Sequence, residues 1–253
     1  QISNKDRNSS IAASAILLTL LPLARHGRLA MLDGSQLTAI GLMWLLSLYL
    51  DGSKSDWWKS FGIGLVASCL LLMKAPMVFP AALAAIVSMI LAREIKIICH
   101  FRFFLGLSLG LIPGFAWHIW NFWQRGVGAA WLWWGDGAGR VLLQAGAGSE
   151  LVWRVPLIET LEGGWPWILL WPAGILWAWQ EKNTRWGSWV LGTQIVLMIA
   201  ILPLKTQLPW YSYPLWLPFA LICAKPFAWI VTRDKRDKTN IPYEKIFLRP
   251  IPA

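Results

Sequence analysis

Charge is scarce in this 253-residue chain: only 14% of residues are Asp, Glu, Lys or Arg, and the acids number 13. A water-soluble domain of this size carries roughly a quarter charged residues. Here the apolar residues, 57% of the total, run in long blocks instead, and the mean hydropathy is +0.51. That combination excludes intrinsic disorder, which needs low hydrophobicity and high charge, and it points to a bilayer. Cysteine is equally sparse. Cys69, Cys99 and Cys223 stand alone with no C-x-x-C spacing, which excludes a disulfide framework and a zinc site of ordinary pattern. His, Asp and Glu show no ligand spacing either, so no metal is predicted. No secretory leader with a basic segment, a short apolar core and a small-residue cleavage site opens the chain. No dinucleotide loop is present: Gly135, Gly137 and Gly139 lack the G-x-G-x-x-G spacing and a preceding strand.

What is present are eight apolar runs: Ile11–Ala24, Leu37–Leu50, Phe61–Met73, Met77–Ala92, Phe103–Trp123, Trp165–Gln180, Trp186–Leu204 and Trp210–Val231. Crossing a core about 30 Å thick takes roughly 20 residues, and flanking Ser, Thr, Trp and snorkelling Lys or Arg supply part of that length. The expected fold is therefore all-α, a polytopic membrane bundle of about eight helices over positions 1–232, with a polar tail at 233–253. The third and fourth runs leave two alternatives open: two helices hinged at Lys74-Ala75-Pro76, or one kinked element that does not cross twice.

The net charge of +10 would suggest nucleic acid in a soluble protein, but in a membrane protein cations mark the cytoplasmic loops. With the N-terminus inside, sixteen of the 23 Lys and Arg residues fall on inner segments. The other seven, Arg25, Arg28, Lys74, Arg125, Arg140, Arg154 and Lys205, fall outside. That bias puts both termini in the cytoplasm of a multi-pass plasma-membrane protein and excludes nucleic acid as a partner. Trp57, Trp58, Trp123, Trp165, Trp186 and Trp210 stand at run ends, where an amphipathic ring suits the headgroup level. The outer loop 124–164 is long enough to be functional; Glu159 and Glu162 within it read as solvated loop charges.

Polar residues on the outer side carry the chemistry. Arg28 and Asp33 share one short loop; Lys74 ends an apolar run beside Pro76; His118 and Asn121 end the fifth run; Lys205 precedes Pro209-Trp210-Tyr211-Ser212-Tyr213. Ionisable groups at membrane depth are expensive and default to a functional hypothesis, and cations gathered on one face suit an anionic ligand. Asp33 also has a purely structural reading, as a cap on the helix that starts near Ser35 or Leu37, or as a partner of Arg28.

The order Arg28-Leu-Ala-Met-Leu-Asp33, Leu72-Met-Lys74-Ala-Pro76 with Phe79-Pro80, Ala116-Trp117-His118 with Arg125-Gly126, Arg140, Gly164-Trp165-Pro166-Trp167, and Lys205 to Tyr213 resembles the membrane glycosyltransferases that use polyprenyl-phosphate-linked sugars. This is the superfamily of protein O-mannosyltransferases and of the bacterial aminoarabinose transferase that modifies lipid A. The resemblance covers the chain to about Ala224. It implies a GT-C fold and transfer of a sugar from the lipid donor to a lipid, glycan or protein acceptor on the non-cytoplasmic face, without a cofactor. By position, Asp33 corresponds to an acid near the reaction centre. Arg28, Lys74, Arg140 and Lys205 correspond to substrate-binding cations, most of them near the donor phosphate. Tyr211 and Tyr213 line the cavity, and His118 matches a Trp-His pair. The implied partners are the lipid-linked sugar, membrane lipids and an acceptor. The superfamily's main acidic motif sits on a large first outer loop; if the chain is a fragment, the resemblance puts that motif before Gln1 and makes Asp33 a second acid, and if it is complete, the resemblance does not extend to activity. Two rival readings of the same cations are a transporter or flippase for a lipid-linked anion and a truncated, non-catalytic membrane partner.

Overall fold

The computed structural model describes residues 7–26, 32–54, 56–131, 139, 154–205 and 208–236. Among the described residues all regular structure is helical: α1 Arg7–Thr19, α2 Leu21–His26, α3 Leu32–Leu48, α4 Asp56–Lys74, α5 Val78–Leu91, α6 Phe101–Arg125, α7 Val127–Trp131, α8 Arg154–Gly163, α9 Trp171–Gln180, α10 Arg185–Ile201 and α11 Trp216–Arg236. Short 3₁₀ turns occupy Ala75–Met77, Ile95–Cys99, Trp167–Leu170 and Pro209–Leu215. Among the described residues three stretches are long and apolar enough to cross a membrane: Asp56–Leu91, which takes in α4, the turn after it and α5, then Phe101–Arg125 and Trp210–Thr232; α10 is apolar but shorter. The tail expected from 233 begins inside α11, and positions 237–253 lie outside the described residues.

Ion pairs between helix ends give the helix directions. The Arg185 guanidinium, at the start of α10, donates to Glu94 Oε2 at 2.9 Å and to the Leu50 carbonyl at 3.3 Å. The end of α3, the end of α5 and the start of α10 therefore meet. The start of α4 joins them, because the Asp56 carboxylate accepts from the backbone N–H groups of Asp51 and Gly52 (2.6 Å to the latter). At the other end of the bundle Lys74, the last residue of α4, meets Asp33 in the first turn of α3. So α4 and α5 run in opposite directions and reverse at Lys74. There the backbone leaves the helix (φ −157°, ψ 75°), and Pro76 has no N–H with which to continue it. Of the two sequence alternatives, the hinged pair is the one adopted.

A glycine row docks α6 on α4. A Cβ at Gly106 would overlap the Trp57 carbonyl, one at Gly110 the Phe61 carbonyl, and one at Gly114 would lie 3.0 Å from Ser68 Cα. Both numberings rise together, so α4 and α6 are parallel, and the small residues let two backbones touch, as membrane helix pairs favour. Pro113 interrupts the α6 ladder, and Ser68 enters beside it: its hydroxyl donates to the Gly110 carbonyl (2.8 Å) and accepts from the Gly114 N–H (3.1 Å).

The second half packs on α11. Ile16 and Leu20 of α1 bury against Trp216, Phe219, Ala220 and Ala224, and the Tyr213 hydroxyl donates to the Pro22 carbonyl at 2.6 Å, which makes α1 and α11 antiparallel. Gly174 of α9 lies on Ile222. Beyond the end of α9, Glu181 pairs with Lys225, whose ammonium stacks 3.9 Å from the Trp186 ring centroid. That contact buries Trp186 at the charged end of α10. Outside the spanning segments, the Ser53 hydroxyl and backbone N–H, with Lys59 beyond them, hold the Asp51 carboxyl well below the usual carboxylate range. Because the shift is downward, whatever stability it contributes is complete above the unfolded carboxyl range and fades only in stronger acid.

Candidate functional site

The two ends of the bundle differ chemically. At the end marked by Arg185, charges are tied in pairs: Lys59 with Asp51 and, within α4, with Asp56, and across elements Arg185 with Glu94 and Lys225 with Glu181. Half-exposed pairs of this kind are each worth about 0–1 kcal/mol and act chiefly as register marks. At the opposite end one pair stands among aromatic and apolar groups. Lys74 Nζ lies 3.0 Å from Asp33 Oδ1 and 4.7 Å from the centroid of the Tyr211 ring.

Local sequence explains this geometry. Asp33 does not cap a helix starting at Ser35 or Leu37; α3 already begins at Leu32, and Asp33 is turned inward in its first turn, only 8% exposed. A carboxylate so far from water costs several kcal/mol unless a cation and donors meet it. Lys74 meets it because the reversal between α4 and α5 occurs at that residue, which frees a four-carbon stem to reach across to α3. The side chains are unequal: Asp33 retains 11% of its exposure and Lys74 33%. The lysine is the more accessible partner and the carboxylate is held inside.

The 3₁₀ turn Pro209–Leu215 aims its tyrosines differently. Tyr211 lies under the Lys74 ammonium, whereas the buried Tyr213 donates to the Pro22 carbonyl, and α8 packs on the same turn. Glu159, half-buried on α8, thus belongs to this end and is not the freely solvated charge expected from its loop sequence. Gln36, one turn along α3 from Asp33 and 3% exposed, is a further polar residue of this end that the sequence reading passed over. Its only signal was a polar residue directly before an apolar run.

His118 is carried on α6, its Nε2 3.2 Å from the Leu71 carbonyl and its ring edge-on to Trp117. It lines a groove of about 460 Å³ that also takes in Leu71, Val78, Phe79, Phe115 and Asn121. Leu71 and Val78 stand three and four residues from Lys74, on either side of its turn, so the groove lies at the same end of the bundle as the ion pair. His118 and Asn121 are the polar side chains of a wall otherwise made of Leu, Ile, Val, Phe and Ala. Lys205 is exposed just past α10. Arg28 and Arg140 lie outside the described residues. Asp33, Lys74, Tyr211 and Tyr213 therefore come together, and His118 lies one helical turn away through Leu71.

The arrangement joins an accessible cation, a shielded carboxylate and an adjoining apolar groove. The first suits an anion, the second a proton, the third an acyl or prenyl chain. Among the described residues no three His, Cys, Asp or Glu side chains gather as a metal site. No protein-family model, no curated protein and no solved structure matches the chain.

Proposed function

We propose that this chain is the helical bundle of a membrane glycosyltransferase that takes its sugar from a polyprenyl phosphate, with the Asp33 end on the non-cytoplasmic face. In this reading α1, α3, α4, α5, α6, α9, α10 and α11 are eight crossings of a GT-C-like bundle in the plasma membrane. Their alternating directions and the cation-rich loops at the Arg185 end support a topology with both termini cytoplasmic. The sequence motifs supply the family expectation; one structural observation carries the site, the Lys74–Asp33 pair beside an apolar groove.

The chemistry follows from charge. The acceptor hydroxyl oxygen attacks the anomeric carbon, the bond from that carbon to the phosphate oxygen breaks, and the phosphate leaves with the electron pair. Lys74 neutralises the leaving phosphate. Asp33 takes the acceptor's proton on a carboxylate oxygen. The groove along α6 receives part of the prenyl chain, and the Tyr211 ring keeps the ammonium facing the donor. On this reading Lys205 and, from the sequence alone, Arg28 and Arg140 add positive charge around the phosphate.

Lys74→Gln tests this assignment. Initial-rate kinetics with a polyprenyl-phosphate sugar should show donor KM raised about tenfold or more, the usual worth of one charge-assisted phosphate contact, and a lower kcat. Unchanged donor KM and kcat would remove Lys74 from the site.

A further inference from the structure

The Lys74–Asp33 pair carries a second consequence, which rests on the glycosyltransferase reading. The ammonium that is to hold the donor phosphate is already held, by Asp33 at 3.0 Å and by the Tyr211 ring at 4.7 Å. Carboxylate and phosphate are both anions and compete for the same N–H donors. Asp33 is thus a tethered competitor of the donor. The lysine side chain is a third exposed while the Asp33 side chain keeps 11%, so of the two partners Lys74 is the one a phosphate can reach. Lys74 ends α4 at a backbone break, so its stem can swing from one anion to the other with no helix displaced.

The exchange alters Asp33 as a base. While the Lys74 ammonium sits 3.0 Å from Oδ1, that oxygen is occupied and an acceptor hydroxyl cannot donate to it; once the ammonium leaves, the oxygen is open. We infer that the Lys74–Asp33 ion pair is a donor-operated latch: the lipid phosphate takes Lys74 and so releases the Asp33 carboxylate toward the acceptor hydroxyl. Binding is then ordered, donor before acceptor, and the base stays neutralised while no donor is present.

The latch makes a prediction opposite in sign to a simple loss of a site residue. Removing the carboxylate removes the competitor, so Asp33→Asn should bind phosphate more tightly than the native protein even though it cannot transfer sugar. The experiment is equilibrium binding of polyprenyl phosphate without a sugar to the protein in nanodiscs of neutral phosphatidylcholine, with inorganic phosphate and phosphatidate as separate arms. Asp33→Asn should bind polyprenyl phosphate about three- to tenfold more tightly, the worth of one partly buried ion pair. Asp33→Glu should bind as the native protein does, and Lys74→Gln more weakly than either. Equal or weaker binding by folded Asp33→Asn overturns the latch, as does a gain confined to inorganic phosphate or to phosphatidate. Should Asp33→Asn not fold, the native protein decides: carbodiimide labelling of Asp33, read by peptide mass spectrometry, should rise when polyprenyl phosphate is added, and unchanged or lower labelling rejects the release. Because the probe carries no sugar, tighter binding by Asp33→Asn without turnover by the native protein would reject glycosyl transfer and keep only the competition of Asp33 with phosphate for Lys74.

Discussion

Asp33→Asn is expected to lower sugar transfer from a polyprenyl-phosphate donor by about 10²- to 10⁴-fold, the contribution of a positioned base, in a protein that still folds. Asparagine keeps the volume of the side chain and leaves Lys74, a third exposed, able to find water. The stability cost is therefore that of one partly exposed ion pair, about 1 kcal/mol, a shift of a few degrees in thermal unfolding. The two effects separate cleanly. A residue that only ties α3 to the α4–α5 reversal would lose stability and activity together, and Asp33→Glu would repair neither by much. A base would lose kcat with its melting temperature almost intact, and Asp33→Glu would recover part of the rate. Steady-state kinetics and a melting curve on the same preparations distinguish these cases.

Gly110→Leu is expected to cost at least about 3 kcal/mol and to separate α6 from α4. Two effects oppose each other here. Leucine is the better helix former by about 1 kcal/mol, which favours the variant. Against that, a Cβ at 110 overlaps the Phe61 carbonyl and lies 2.7 Å from the Leu65 nitrogen, atoms of a backbone that has no rotamer to escape into. The close approach also carries the Ser68 bridge to Gly110 and Gly114, which any separation breaks. Packing wins by a wide margin. Gly128→Leu is the control, since nothing lies within 4 Å of its Cβ position. Thermal unfolding and monodispersity in detergent should show Gly110→Leu strongly impaired and Gly128→Leu near the native protein; a native-like Gly110→Leu would mean that α6 is not seated by this row.

Hydropathy made most of the helices legible. The fifth run, Phe103–Trp123, falls inside α6, and the seventh, Trp186–Leu204, overlaps α10 almost completely. The first and second runs missed helix starts for a common reason: a scale that scores residues singly stops at polar ones, whether they face water or the interior. It therefore began the second run at Leu37, although Asp33 and Gln36 belong to α3 and are buried.

The candidate site was legible as residues and not as contacts. Asp33 and Lys74 stood out as ionisable groups beside apolar runs, yet their pairing spans 41 positions and depends on the reversal at Lys74, one of two alternatives open in sequence. Tyr211 and Tyr213 stood together as one aromatic pair; the 3₁₀ turn sends one to Lys74 and the other to Pro22. The groove could not be read at all, because it forms where the ends of α4 and α6 meet α5 and α7.

Cleavage of a lipid-linked sugar is the most direct test of the central claim. Native protein in proteoliposomes, given polyprenyl phosphates that each carry a labelled sugar, should move label from one of them to a second lipid, glycan or protein acceptor and leave bare polyprenyl phosphate behind. Label that crosses the bilayer still attached to its lipid, or stays attached throughout, contradicts glycosyl transfer.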